Sequence, residues 1–270
     1  MDPDPAEPAA VWRTLAAIRE RVPLVHNITN VVVANVTANA LLAIGASPAM
    51  VQAEEEVGEF ARVADALVVN LGTVTAERAA AMRVAVAAAG EAGKPWVLDP
   101  VAVGAIGFRT RLAVELVRAR PAAIRGNASE VLSLAGFGGA GRGVDSSAQS
   151  ESARLAAGQL ARDTGAAVAV TGPVDYITDG TRLISVGNGH PMMTRVTGIG
   201  CTATALLGAC LGVQFDGMAA SAHALVLIGI AGEIAAERAR APGSFQVALL
   251  DALYELDEAT VLQRARIARR

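Results

Sequence analysis

Aromatic rings are scarce in this sequence: two Trp, two Tyr and five Phe among 270 residues, 3% of the chain. Small and branched aliphatic side chains must therefore fill its core. Charge is also sparse, at 18%, and nearly balanced, with 23 basic and 26 acidic residues and a net charge of −3. Such a chain has no basic face for a phosphate backbone, which excludes a nucleic-acid partner. Cysteine is limited to Cys201 and Cys210. Nine positions apart in one helical run, they cannot meet as a disulfide, and two free thiols fit a reducing, cytoplasmic setting. The N-terminus lacks a basic leader: Asp2-Pro3-Asp4-Pro5 is acidic and proline-rich, which excludes a signal peptide. Residues 1–10 read as a disordered tail, and residues 11–270 as a single domain with neither repeat nor linker.

Apolar residues are what the sequence has in quantity. They make up 53% of the chain, and residues 22–53 and 196–215 carry no Asp, Glu, Lys or Arg. A membrane span is still excluded, because Asn27, Asn30, Asn35 and Asn39 break the first stretch and Gly198 and Gly200 break the second. No aromatic belt flanks either one. The alternation of short apolar runs with helical runs predicts an α/β fold, a mainly parallel sheet with helices on both faces. Strands are expected at 22–25, 48–51, 66–70, 96–99, 122–125 and 167–171, and helices at 30–44, 75–91, 109–118 and 148–163. Residues 136–143, with five glycines, read as a surface loop. The turn signals Asp179-Gly180 and Asn188-Gly189 then separate strands at 176–178, 182–186 and 192–195, a short antiparallel edge. Helices at 202–211, 218–239 and 245–265 follow, and the basic residues of 264–270 read as a solvated tail.

Four motifs fall where such sheets bind ligands, at strand ends and a helix start. Thr197-Gly198-Ile199-Gly200-Cys201 runs straight into an apolar helix. Its two glycines let backbone N–H groups converge without Cβ obstruction under the positive end of the helix dipole, an anion hole for a phosphate. Cys201 falls in the first turn, where a thiol pKa is lowered. The pattern is neither a dinucleotide fingerprint, which needs a third Gly where Ala203 stands, nor a Walker loop, which needs a following Gly-Lys pair. Asp99 ends one strand, turned into the crevice by Pro100. Arg125 ends the next and suits phosphate oxygens. Asn127 suits a helix cap with Glu130 as its capping-box partner, and Glu130 can in addition hold water on Mg²⁺. Thr171 offers a hydroxyl at the end of a third strand. Carboxylate, guanidinium, hydroxyl and anion hole together are the parts of phosphoryl transfer. His26-Asn27-Ile28-Thr29-Asn30 reads either as an Asx turn into a helix or as amides for a small heterocycle or subunit contact. His223 reads as a satisfied core histidine, and His190 as a turn residue.

Taken in order, His26-Asn27-Ile28-Thr29-Asn30, Gly45-Ala46-Ser47-Pro48-Ala49-Met50, Leu98-Asp99-Pro100, Arg125-Gly126-Asn127-Ala128-Ser129-Glu130, Val170-Thr171-Gly172 and Gly198-Ile199-Gly200-Cys201 resemble the hydroxyethylthiazole kinases across nearly the whole chain. The resemblance implies a ribokinase-like fold and transfer of the ATP γ-phosphate to 4-methyl-5-(2-hydroxyethyl)thiazole in thiamine salvage. It further implies Arg125 and Thr171 at ATP, and Met50, Gly198 and Asn27 at the thiazole. Asp99 and Glu130 would organise Mg²⁺ through water, with Cys201, Gly198 and Gly200 at the reacting hydroxyl. A homotrimer with shared sites is implied as well. The chain departs from the family at Ile199, where Thr is more usual. The rival readings are a related kinase acting on a hydroxymethylpyrimidine, an ATP-dependent dehydratase of hydrated nicotinamide cofactors, and a non-catalytic nucleotide-binding module.

Overall fold

The computed structural model describes residues 4–136 and 146–270. Helix α1 (Pro8–Arg21) precedes β1 (Leu24–Ile28), α2 (Ala34–Ile44), β2 (Ser47–Ala49), α3 (Glu54–Val63) and β3 (Ala66–Asn70). Then come α4 (Ala76–Glu91), β4 (Trp96–Asp99), α5 (Gly107–Leu116), β5 (Ala123–Asn127), α6 (Ala128–Leu134), α7 (Ser146–Thr164) and β6 (Ala167–Thr171). The last third holds β7 (Asp175–Thr178), β8 (Leu183–Val186), α8 (Ile199–Val213), α9 (Gly217–Arg238), α10 (Pro242–Glu255), α11 (Glu258–Arg264) and β9 (Ile267–Arg269).

The strands form one sheet in the order β2-β1-β3-β4-β5-β6-β7-β8-β9. The pairs from β2 to β6 are parallel, and those from β6 to β9 antiparallel. Side chains alternate across it, so one strand feeds two cores. From β3, Ala66 and Val68 join α1, α2, α8, α9 and α10 on one face. Leu67 and Val69 join α3 to α7 on the other. Few rings are needed because the layers approach closely: a Cβ on Gly208 of α8 would lie 2.5 Å from Val68 Cγ2. Among the described residues α9 alone is long and apolar enough to cross a membrane, and 89% of its apolar window is buried inside the protein.

Several expectations need correction. The expected tail is structured from Asp4 onward: Pro8 starts α1 and Asp4 pairs with Arg269 at 3.0 Å. The Pro5 carbonyl accepts from the buried His223 Nε2 at 2.9 Å. Residues 1–3 lie outside the described part, as do residues 137–143 of the glycine-rich loop. Helix α2 starts at Ala34, because Asn30 Oδ1 accepts from Val32 N in an Asx turn that delays it. Helix α3 was not expected; three glutamates in its first turn suit the helix dipole. Residues Pro191–Arg195 are a 3₁₀ helix rather than a strand, since Pro191 has no N–H for a ladder and His190 caps the turn. The expected helix at 245–265 is two helices, parted where Asp257 accepts from Thr260 N to cap α11. The expected basic tail is β9, the outermost strand of the sheet.

Candidate active site

Helix α8 begins on Gly198, whose φ of +86° is a left-handed conformation that L side chains rarely adopt. A Cβ there would stand 2.3 Å from Val33 Cγ1, so α2 and α8 start in mutual contact. Two residues on, a Cβ at Gly200 would lie 2.8 Å from Arg125 Nη1. The guanidinium thus lies against the first turn of α8, and two sources of positive charge converge there. Arg125 reaches this place from β5 and donates through Nη2 to Thr171 Oγ1 of neighbouring β6, at 3.0 Å. Its Nε is buried without a hydrogen-bond partner among the described residues, a donor waiting for an acceptor.

Asp99 ends β4 beside Asn70 of β3, its register partner. Its Oδ2 accepts from Asn70 Nδ2 at 2.7 Å and from Thr204 Oγ1 of α8 at 2.8 Å. The carboxyl is 1% exposed. Burial pushes its pKa up to about 6; the charge of Arg125 opposes the rise and that of Glu130 adds to it. Cys201 sits among Asp99, Arg125, Asn70 and Asn30, and its thiol is pushed up to about 11, first by burial and then by the Asp99 charge. That overturns the expectation of a lowered thiol pKa: desolvation and a carboxylate outweigh the helix terminus.

Glu130 is the capping-box partner of Asn127 as expected: Oε2 accepts from Asn127 N at 2.9 Å, and Asn127 Oδ1 accepts from Glu130 N at 3.0 Å. Its Oε1 accepts from Ala102 N at 2.9 Å, where Ala102 holds a left-handed φ of +61°. Among the described residues no group of three or more His, Cys, Asp or Glu side chains could cage a metal. Two carboxylates at a phosphate site still fit Mg²⁺, which keeps most of its water and takes other ligands from phosphates.

A cavity of about 620 Å³ opens beside this cluster, and Arg125, Thr171 and Gly200 line it. Asp175 lines it too, with a carboxyl that burial pushes up to about 6. Met193, Leu225 and Ile228 give it apolar lining. Asp99, Glu130, Cys201, Gly198 and Met50 are not part of its lining. Asn27 is fully buried and turns its Nδ2 back onto Val25 O at 2.9 Å, so the structure does not bring it to the cavity. Met50, half-buried just after β2, precedes Val51, whose carbonyl accepts from the buried His26 Nε2 at 2.9 Å.

Sequence reasoning missed Asn70, Thr204 and Asp175. It also missed Thr73, held at a φ of +52°, which ties the β1–α2 loop down by accepting from Val31 N at 3.1 Å. A polar residue closing an apolar strand was the available signal for Asn70. His223 is the satisfied core histidine expected, with Nδ1 accepting from Thr14 Oγ1 at 2.8 Å.

A mostly parallel sheet with an antiparallel edge, presenting a carboxylate and a guanidinium to the glycine-started N-terminus of a helix, defines a ribokinase-like small-molecule kinase. The pyridoxal kinase of Staphylococcus aureus, solved with AMP-PCP and pyridoxal, shares the fold at a TM-score of 0.60 and 15% identity, over 79% of this chain and 88% of its own. The family is narrower than the fold. The model of the hydroxyethylthiazole kinase family matches residues 15–259, and the chain belongs to that family. Hydroxyethylthiazole kinase of Granulibacter bethesdensis is 62% identical over 96% of each chain. That of Tolumonas auensis is 52% identical over 96% of this chain and 98% of its own. The solved hydroxyethylthiazole kinase of Pyrococcus horikoshii superposes with a TM-score of 0.90 at 45% identity, over 96% of this chain and 98% of its own.

Proposed function

We propose that the protein transfers the γ-phosphate of ATP to the hydroxyl of 4-methyl-5-(2-hydroxyethyl)thiazole, forming the thiazole phosphate used in thiamine salvage. Family membership supports the reaction. The observation that carries it is the convergence of Arg125, Thr171 and the N-terminus of α8 on the wall of one cavity. The cavity takes the nucleotide, with its base toward Met193, Leu225 and Ile228 and its phosphates toward Arg125 and Thr171. The unpartnered Arg125 Nε gains an acceptor when a phosphate oxygen arrives.

Phosphoryl transfer proceeds through a loose transition state, so positioning and charge stabilisation matter more than early proton abstraction. The N–H groups of the Gly198–Gly200 turn face the charge on the transferring group. Asp99 and Glu130 would hold Mg²⁺, in part through water, and when bound that ion would neutralise phosphate charge. Cys201 stands at the acceptor hydroxyl as a neutral thiol, suited to position it rather than to deprotonate it.

Met50 contacts the thiazole from the open side of the site. Val31 and Val32 before α2 and Leu42 on it are more than half exposed. This supports a homotrimer in which a neighbouring copy completes the thiazole pocket. Two unpaired thiols support a cytoplasmic location.

Incubation with Mg-ATP and the thiazole alcohol, followed by mass detection, tests the reading. Thiazole phosphate with stoichiometric ADP is the expected product. ADP with free inorganic phosphate and no phosphate ester would overturn it in favour of an ATP-dependent dehydratase. Phosphorylation of a hydroxymethylpyrimidine alone would overturn the choice of substrate.

A further inference from the structure

Part of the cavity wall is a short stretch without regular pairing. Asn188, Gly189 and His190 line the cavity, yet the ladder of β8 ends at Val186. Little of the stretch's own backbone holds it in place. It rests against α9 at Gly229, where a Cβ would lie 2.5 Å from Asn188 Cβ and 2.8 Å from its carbonyl carbon. Leu225, Ile228 and Gly229 of α9 line the cavity, and Glu233 follows one turn further along the same helical face.

Glu233 gathers the stretch. Its Oε1 accepts from Gly189 N at 2.8 Å and from Asn188 Nδ2 at 3.1 Å. Arg266, just before β9, pairs with both oxygens of Glu233 and donates to Gly187 O through Nη2 at 2.6 Å and Nε at 3.0 Å. The Arg266 backbone completes the knot: its N–H donates to Asn188 Oδ1 at 2.7 Å, and its carbonyl accepts from Gly187 N at 2.8 Å. The last amide hydrogen bond of Asn188 goes to Arg264 O at 2.9 Å. The Asn188 side chain is therefore fully committed and serves as wall rather than as a contact that reads a ligand. Glu233 is largely shielded, with a side chain 14% exposed, whereas Arg266 is 55% exposed.

We infer that Arg266 and Glu233 are positioning residues for the nucleotide: they clamp residues 187–190 so that this wall of the cavity is formed before ATP arrives. The clamp touches neither the cluster around Asp99 nor the thiazole side. Its loss therefore lowers nucleotide affinity and leaves the chemical step alone. The inference rests on reading the cavity as the ATP site. A wild-type protein that bound no ADP in calorimetry would remove that reading, and this inference with it, before any variant was compared.

The test is a steady-state comparison of the full-length protein with Arg266→Ala, Arg266→Lys and Glu233→Gln, with ADP affinity measured by calorimetry. In Arg266→Ala the KM for ATP and the Kd for ADP rise roughly tenfold, while kcat and the KM for the thiazole alcohol stay within about twofold. Arg266→Lys recovers part of the loss, since an ammonium can meet Glu233 but cannot also fork to Gly187 O. Should Arg266→Ala not fold, Glu233→Gln carries the same test, with a rise of roughly threefold, because it keeps the acceptor for Gly189 N and removes the charge. An unchanged ATP KM in the folded variants, or equal losses in kcat and both KM values, overturns the inference.

Discussion

Asp99 carries a conflict between stability and chemistry. Its folded pKa, about 6, lies above the value near 4 of an unfolded Asp. The folded state thus holds a proton that the unfolded state has released between those pH values. Its contribution to stability is present below about pH 4 and lost as pH rises through about 6. In Mg²⁺-free protein, Asp99→Asn keeps an oxygen to accept from Asn70 and Thr204 and removes the buried charge. We expect it to be more stable than wild type at pH 8 by roughly 2–3 kcal/mol, and equal to it near pH 4, in urea titrations at both pH values. Its kinase activity should be lost, and wild-type activity should fall as pH drops through about 6. Cys201→Ala tests the neighbouring residue: we expect kcat to fall less than tenfold, well short of the roughly 10²–10⁴ of a lost general base. A larger loss with intact ATP affinity would restore the thiol as base. Asp99 and Thr171 were legible in the sequence because each closes an apolar strand at the ligand-binding edge, and Arg125 because it interrupts one, although β5 runs two residues past it to Asn127. Thr204 was not, because it lies inside an apolar helical run and its partner is 105 positions away. The Cys201 pKa was misread because helix position is visible in a sequence, whereas burial of the thiol and a carboxylate on a neighbouring strand are not.

Helix α8 carries both the anion site and the contact with the sheet, and small residues make the second possible. Gly208→Ala would place a Cβ against Val68 and Val25, in a seam where both neighbours are buried strand residues. Overpacking of this kind costs roughly 1–3 kcal/mol, so the thermal midpoint should drop by several degrees in a calorimetric scan. A shift below a degree would mean that α8 can move off the sheet without penalty. The parallel strands were readable as continuous apolar runs, as strands buried on both faces must be. The elements that escaped lack that signature. Helix α3 opens with Glu54, Glu55 and Glu56, which look like loop until their place at the N-terminus of a helix is known. Strand β9 is Ile-Ala-Arg, too short and polar to announce itself, and it exists because β8 offers an open edge.

For the whole molecule, exposed apolar residues are the informative surface. Val31, Val32 and Leu42 lie at or near α2, and Val247 and Tyr254 lie on α10, which packs against α2. We expect these residues to form the contact between subunits. We expect light scattering to give about three times the 27.5 kDa chain mass, and Leu42→Glu to give monomers with a raised KM for the thiazole alcohol and little change for ATP. Monomeric wild type with full activity would remove the shared site. No sequence pattern separates such a face from the many apolar residues that the core consumes. The knot at Arg266 has a consequence in time as well as in space. Synthesis runs from the N-terminus, so Asp99, Arg125, Thr171 and Cys201 leave the ribosome well before Arg266. On the inferred role of Arg266, a nascent chain halted at Ala265 would carry Asp99, Arg125, Thr171 and Cys201 without the clamp on residues 187–190, and we expect it to bind ADP as weakly as Arg266→Ala does.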